Sequence, residues 1–260
     1  MGEFIISIKE LSYSYTNGRQ FAFKDLNASI PAHSITSILG RNGAGKTTLL
    51  LIILGYLKTV HGTIQYYNPK STEGQKGEIL QIAYLPQVET APEAMSVYDY
   101  LLMGRIPYIS PFMQPNKKDT NIVNNYAKII EIDHLLEYPL GKISGGELQR
   151  VRFGRALVQE SDLILLDEPI THLDLNAKQT MMRLIKYLKT LGKTIIFTTH
   201  DPVEALEIAD HALLVSNDHK IKFGKATDIL TDKNLSDCFD LPIRILFSGN
   251  SFGCIVEKRT

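Results

Sequence analysis

The sequence predicts an α/β fold: a mostly parallel sheet with an antiparallel β subdomain near its N-terminus and an inserted α-helical subdomain. Three features support this prediction. Apolar, β-branched runs such as residues 34–39 alternate with helical patterns, as in parallel sheets covered by helices. Residues 4–30 alternate apolar and polar side chains around a turn at residues 16–18, which is typical of an antiparallel hairpin. Residues 88–140 carry apolar residues at helical spacing instead.

The predicted hairpin has Tyr13 and Tyr15 at the end of its first strand. An exposed ring there could stack on a nucleotide base, because every base offers a π-face. A cross-strand aromatic pair is the alternative, and it is the more common arrangement for an isolated tyrosine.

A glycine-rich loop connects the predicted strand of residues 34–39 to a predicted helix that starts near Thr48. The loop fits G-x-x-x-x-G-K-[ST], in which backbone N–H groups and the helix N-terminus bind phosphates. Lys46 is expected to reach the β- and γ-phosphates of a nucleotide, and the Thr47 hydroxyl to ligate Mg²⁺. The predicted phosphate-binding residues are Gly40, Arg41, Asn42, Gly43, Ala44, Gly45, Lys46, Thr47 and Thr48.

Another strand-like run, residues 79–85, ends at Pro86 and places Gln87 at its carboxyl end. Ligands of α/β sheets bind at this end of the strands, so Gln87 is expected to contact one. Beyond it, Ser96 is predicted to cap a helix, and residues 119–132 have helical spacing.

Ser144 is followed by two glycines and, three residues later, by Glu147. This spacing is a capping box, so a helix is predicted to begin here and run towards residue 159.

The apolar run at residues 163–166 ends in Asp167 and Glu168. Such a run is typical of a parallel strand that is buried on both faces. Two carboxylates at its end are unfavourable unless they have a partner or a function. Asp167 is therefore expected to hold Mg²⁺, and Glu168 to polarise an attacking water molecule.

A similar buried strand, residues 194–199, ends at His200, which is expected to contact the γ-phosphate. His172 lies near the two acids in the sequence but is expected to pack. Residues 211–223 are predicted to form a hairpin, and the chain after residue 228 a short helix and one or two strands.

Together these motifs resemble the ATP-binding-cassette (ABC) ATPase family, from residue 4 to about residue 230. The resemblance implies that Gln87 is the Q-loop residue, Asp174 the D-loop residue and His200 the switch histidine. It also favours Tyr15 as the ring that stacks on adenine. The implied signature motif, which contacts ATP on a partner subunit, is Ser144, Gly145, Gly146 and Glu147.

The resemblance further implies a homodimer in which each ATP lies between the phosphate loop of one subunit and the signature helix of the other. Lys46 and His200 would stabilise the γ-phosphate, and Glu168 would act as the base. The implied catalytic residues are Lys46, Gln87, Glu168 and His200, and the implied Mg²⁺ ligands are Thr47, Gln87 and Asp167.

The expected organisation is one ABC ATPase domain over residues 1–260. Its nucleotide-binding core, with the antiparallel subdomain, comprises residues 1–87 and 161–230. The helical subdomain comprises residues 88–160, and residues 231–260 form a C-terminal tail.

The composition argues against several other functions. Lys plus Arg number 28 and so do Asp plus Glu, which gives no basic field for nucleic acid. The longest apolar run, residues 49–57, is roughly half of a membrane span, and the N-terminus lacks a secretory signal. Cys238 and Cys254 have no C-x-x-C spacing and are expected to be reduced thiols, with no role that the sequence identifies. If the chain acts at a membrane, a peripheral protein is therefore expected, and the family resemblance implies that it lies at the cytoplasmic face of the inner membrane.

Within the family, residues 98–108, with Phe112 and Pro115, resemble the helical subdomain of bacterial importers for metal chelates such as iron–siderophore, haem, cobalamin or molybdate. This resemblance implies an ATPase subunit that docks on a separate membrane permease, which in turn receives substrate from a periplasmic or lipoprotein substrate-binding protein. Three alternatives stay open: a separate-chain exporter, an importer of another substrate, and a non-transport scaffold.

Overall fold

The computed structural model describes residues 4–15, 21–68, 80–216, 221–248 and 251–256. The strands are β1 (Phe4–Ser14), β2 (Phe21–Pro31), β3 (Ile35–Gly40), β4 (His61–Tyr66), β5 (Ile82–Leu85), β6 (Leu163–Leu166), β7 (Thr194–Thr199), β8 (His211–Val215), β9 (Ile221–Lys225), β10 (Ile243–Ser248) and β11 (Ser251–Val256). The α-helices are α1 (Lys46–Ile53), α2 (Val97–Met103), α3 (Lys117–Ile129), α4 (Gly145–Leu157), α5 (Leu175–Thr190), α6 (Pro202–Ile208), α7 (Ala226–Ile229) and α8 (Asp232–Phe239).

The central sheet has the strand order β5-β6-β7-β3-β8-β9. Its first five strands pair in parallel, and β9 pairs with β8 antiparallel. Every residue of β3, β6 and β7 is buried, as their largely apolar and β-branched sequences predicted. The predicted α/β class with a mostly parallel sheet is therefore confirmed. The carboxyl ends of β3, β5, β6 and β7 meet at one edge, which positions the residues that follow them.

An antiparallel sheet with the order β2-β1-β4 covers α1. Side chains from this sheet, such as Leu11 and Phe23, share one buried cluster with Leu49 and Leu50 of α1. This packing joins the N-terminal sheet to the helix that begins at the phosphate loop. The predicted hairpin is confirmed, although its turn at residues 16–18 lies outside the described residues.

The inserted helical segment comprises α2, α3 and α4. Arg105, which follows α2, is buried and pairs with the buried Asp119 at 3.1 Å. Its Nη1 also donates to the carbonyl oxygen of Val158 at 2.7 Å, so one side chain ties all three helices together. A Cβ added at Gly104 would lie 2.3 Å from the carbonyl oxygen of Arg155. The packing of the helical segment therefore explains why glycine stands at position 104 and arginine at position 105.

The C-terminal segment contains α7, α8 and the antiparallel pair β10–β11. The sequence predicted one short helix and one or two strands after residue 228, which α8, β10 and β11 match, and it did not predict α7. It packs on β8 and α6 through a buried cluster that includes Leu214, Leu235 and Cys238. Cys238 and Cys254 are both free thiols, and burial raises the pKa of Cys238 to about 11. Within the described ranges, none of the helices combines the length and the apolar character that a membrane crossing requires.

Candidate functional site

The phosphate loop leaves β3 at Gly40 and enters α1 at Lys46. Gly43 and Gly45 have φ values of 81° and 94°, a left-handed conformation that glycine adopts without strain. Lys46 Nζ donates to the carbonyl oxygens of Gly40 at 3.0 Å and Arg41 at 3.1 Å. Burial lowers the pKa of Lys46, and the nearby Glu168 carboxylate opposes this shift. The loop thus holds a buried amine at the start of a helix.

Asp167 follows β6 directly and is buried. Its Oδ1 accepts a hydrogen bond from the Thr198 hydroxyl at 2.6 Å. Its Oδ2 is buried and has no hydrogen-bond partner among the described residues. Burial raises the pKa of Asp167, and the hydrogen bond from Thr198 opposes this shift. This carboxylate therefore has an oxygen left to bind a cation.

Glu168 takes a φ of 47°, which turns its side chain into the cleft beside Lys46. Its backbone N–H donates to Thr198 Oγ1 at 2.8 Å. Glu168 Oε1 lies 3.7 Å from Lys46 Nζ, and Oε2 lies 3.5 Å from His200 Nδ1. The Thr171 hydroxyl donates to Oε2 at 3.0 Å. The Glu168 carboxylate thus lies between the Lys46 amine and the His200 imidazole at the edge of the sheet.

Lys46, Glu168 and His200 line one cleft of about 640 Å³, together with Tyr15, Thr47 and Gln87. The Tyr15 hydroxyl is hydrogen-bonded to the Thr48 hydroxyl, and its ring remains more than half exposed. Tyr15 also meets Tyr13 edge-on, with ring centroids 5.3 Å apart. This contact joins neighbours at the end of one strand and is not the cross-strand pair of the alternative, which Tyr13 forms with Phe23 instead. Tyr15 itself is exposed at the cleft, where its ring could stack on a base.

His172 lines the same cleft and is exposed, so the prediction that it packs is wrong. Its φ of 63° turns the chain after the Glu168 loop and leaves the imidazole uncovered. The sequence pattern could not foresee this, because the turn is irregular and carries no glycine.

The predicted signature residues lie elsewhere, at the N-terminus of α4. Ser144 and Glu147 form a reciprocal capping box: Ser144 N donates to Glu147 Oε2 at 2.7 Å, and Glu147 N donates to Ser144 Oγ at 3.3 Å. These hydrogen bonds lower the pKa of Glu147. Ser144 and Gly145 are exposed, and they line a second cleft of about 660 Å³ that also contains Asp174. Asp174 caps α5 by accepting from Ala177 N at 2.8 Å.

The two clefts share Gln87, Glu168, Thr171 and His172. Lys46 lines only the first cleft and Ser144 only the second. The structure therefore brings together the predicted phosphate loop, both acids, the glutamine and the switch histidine. It does not bring the signature residues to the phosphate loop of the same chain.

Sequence reasoning missed Thr198 and Thr171, whose hydroxyls position the two acids. The one available signal was that Thr198 is a polar residue in a strand buried on both faces. A hydroxyl at such a position needs a hydrogen-bond partner.

Comparison with known proteins gives a consistent result. The family model described as "ABC transporter" matches residues 23–171. The molybdate import ATP-binding protein MolC of Haemophilus influenzae is 34% identical over 92% of this chain and 89% of its own length. The iron(3+)-hydroxamate import ATP-binding protein FhuC of Bacillus subtilis is 32% identical over 93% of this chain and 90% of its own.

Among solved structures, a metal-chelate type ABC transporter in an inward-facing conformation matches with a TM-score of 0.87 and 31% identity, over 98% of both chains. The chain therefore belongs to the ABC transporter family and is one of its ATP-binding domains, which hydrolyse ATP to drive transport.

Proposed function

We propose that this chain is the ATP-hydrolysing subunit of a bacterial importer that takes up a metal chelate of the iron–siderophore, haem, cobalamin or molybdate type. The observation that carries the ATPase part is the Glu168 carboxylate, which lies 3.7 Å from Lys46 and 3.5 Å from His200 in one cleft. Relatives named for molybdate and iron(3+)-hydroxamate import, at 34% and 32% identity, support the substrate class.

In this proposal the backbone N–H groups of the phosphate loop and the α1 N-terminus bind the phosphates. Lys46 and His200 stabilise the charge on the γ-phosphate, and Glu168 takes the proton of the attacking water molecule. The exposed Tyr15 ring stacks on adenine. Gln87, which borders both clefts, contacts the nucleotide and its cation.

The chain's oxygen donors fit Mg²⁺, a hard cation that is usually held by one or two carboxylates and the substrate's phosphates. Thr47, Gln87 and Asp167 would hold it, and the unpartnered Oδ2 of Asp167 supports this assignment. When bound, Mg²⁺ would neutralise charge that develops on the phosphates.

The proposal includes a homodimer. Ser144 and Gly145 are exposed at the start of a 13-residue helix, where N–H groups favour an anion. Since they lie outside the cleft that contains Lys46, they are available to the γ-phosphate of a partner's ATP. Asp174 borders the same surface.

The proposal also includes a separate permease, which the chain meets at the cytoplasmic face of the inner membrane. The exposed apolar residues Val88, Ile106, Phe112 and Met113, next to Gln87 and on the helical segment, support docking there. The substrate-binding protein contacts the permease and acts on this chain indirectly.

The proposal also divides the chain into subdomains. The nucleotide-binding core comprises residues 1–87 and 161–230, the helical subdomain residues 88–160 and the C-terminal tail residues 231–260. The helical content of α2 to α4 supports this division.

Phosphate release by the purified full chain tests the enzymatic part, with Glu168→Gln as the inactive comparison. We expect turnover to fall by a factor of about 10²–10⁴ in Glu168→Gln, because a general base contributes that much. A non-transport scaffold would release no phosphate in either form.

The substrate class is tested with the chain reconstituted in vesicles with its permease. We expect ferric hydroxamate, haem, cobalamin or molybdate, presented with its binding protein, to stimulate ATP hydrolysis and accumulate inside. Stimulation by free Mn²⁺ alone would contradict the metal-chelate assignment. Movement of substrate outward would indicate an exporter.

A further inference from the structure

Helix α4, which begins at the signature motif, is hydrogen-bonded to both loops that carry proposed catalytic groups. Gln149 Nε2 donates to the carbonyl oxygen of Pro169 at 3.0 Å, and Pro169 directly follows the proposed base. Arg152 Nη2 donates to the carbonyl oxygen of Glu89 at 2.7 Å, and Glu89 lies two residues after Gln87. One helix face therefore contacts the Q-loop segment and the loop of the acidic pair.

Glu89 is held by its side chain as well. Arg155 Nη2 lies 2.7 Å from Glu89 Oε1, and the two side chains are only 21% and 18% exposed. Opposite charges that are partly removed from water interact more strongly than a surface pair, which contributes little. Among the described residues, the Nε atoms of Arg152 and Arg155 are buried without a hydrogen-bond partner. Each of the two guanidinium groups therefore holds Glu89 through its Nη2 atom.

The Arg155–Glu89 pair lies far from Ser144, but helix α4 connects Arg155 rigidly to this serine. Arg155 lies 11 residues after Ser144, which corresponds to about 16 Å along a continuous α-helix. A change in the angle of α4 at Glu89 would therefore move Ser144. Glu89 is not among the described residues that line the cleft of Lys46, so its contribution to a nucleotide held there is indirect.

We propose that Glu89 is a positioning residue: through Arg152 and Arg155 it fixes the orientation of α4 and so places Ser144 against the ATP of a partner subunit. This inference rests on the homodimer proposed above. It implies that Glu89 is needed for turnover and not for ATP binding at the phosphate loop.

The test uses the purified full chain with Glu89→Gln, which keeps the carbonyl oxygen that Arg152 uses and removes the charge that faces Arg155. We expect kcat for ATP hydrolysis to fall about tenfold, while the Kd of a non-hydrolysable ATP analogue changes less than about twofold. Arg155→Met should give the same split. The double variant should fall no further than either single variant, because both remove one contact.

A matched control is Glu131→Gln, which breaks the Arg183–Glu131 pair, also 2.7 Å long but more than half exposed. We expect its kcat to equal that of the wild type. If Glu89→Gln fails to fold, Arg155→Lys is the second variant. We expect its kcat to fall by less than about tenfold, while the Kd of the ATP analogue again stays nearly unchanged.

Two results would overturn the positioning role. One is an unchanged kcat in Glu89→Gln and Arg155→Met. The other is a rise in the Kd for ATP as large as the fall in kcat, together with a lower melting temperature. That result would indicate a structural role only. In both cases the loss of turnover in Glu168→Gln would still support the proposed ATPase. Equal hydrolysis by wild type and Glu168→Gln would instead reject the proposed base.

Discussion

The Thr198 hydroxyl donates to Asp167 Oδ1 at 2.6 Å, across the neighbouring strands β7 and β6. The hydroxyl oxygen of Thr198 also accepts a hydrogen bond from the backbone N–H of Glu168 at 2.8 Å. One fully buried hydroxyl therefore fixes the carboxylate proposed for Mg²⁺ and the backbone of the proposed base. Thr198 touches no solvent, so its role is to hold these two acids in position.

We expect Thr198→Val to destabilise the chain by about 1–3 kcal/mol, because valine has the same shape but leaves a buried acceptor and a buried N–H unpaired. ATP hydrolysis should fall as well, since both acids lose their anchor. Denaturant unfolding and phosphate release measure the two effects. Thr198→Ser keeps the hydroxyl and is the control, so equal loss in both variants would contradict this explanation.

Asp167→Asn should show how much the buried carboxylate of Asp167 destabilises the folded chain. Burial raises the pKa of Asp167, so between its unfolded pKa and its higher folded pKa the folded chain binds more protons than the unfolded chain. Stability of the wild type therefore falls as pH rises through that window. The asparagine variant lacks this loss, so its melting temperature relative to wild type should increase as the pH rises above the ordinary carboxyl pKa of about 4.

The measurement is thermal unfolding across pH in the presence of EDTA and without nucleotide. Mg²⁺-dependent ATP hydrolysis by Asp167→Asn should be strongly reduced at every pH, because an amide is a weaker ligand for a hard cation. A constant difference in melting temperature across the pH range would contradict the raised pKa.

Local sequence signals were sufficient for the elements and for most site residues. The phosphate loop, the capping box at Ser144 and the acids after β6 each lie in one short segment with a fixed spacing. Strands buried on both faces were recognisable from largely apolar, β-branched runs, and parallel pairing then brought their carboxyl ends together.

Contacts between distant segments were not predictable. Thr198 and Asp167 are 31 residues apart, and nothing in either segment identifies the other as its partner. The same holds for Cys238, whose thiol donates to the carbonyl oxygen of Val215 beside the phosphate loop. His172 was misassigned because its exposure depends on a left-handed turn in a loop without glycine.

Lys46→Ala should abolish most ATP binding while the fold survives. The amine is buried, and burial lowers its pKa, so its removal relieves a desolvation cost in the absence of ligand. We therefore expect unchanged or slightly higher thermal stability, but an ATP Kd raised by a factor of about 10 or more, equivalent to about 1.4 kcal/mol. Calorimetric titration measures the affinity, and Glu168→Gln should bind ATP as the wild type does.

Gly145→Ala tests the proposed partner contact without disturbing the subunit. A Cβ at Gly145 meets no described atom within 4 Å, so melting temperature should be unchanged. If the γ-phosphate of a partner's ATP approaches this backbone, the added methyl group would hold it away, and kcat should fall about tenfold or more. Gly253→Ala, in β11, also meets no described atom and should keep wild-type kcat. Wild-type turnover in Gly145→Ala would argue against an ATP bound across the dimer at the start of α4.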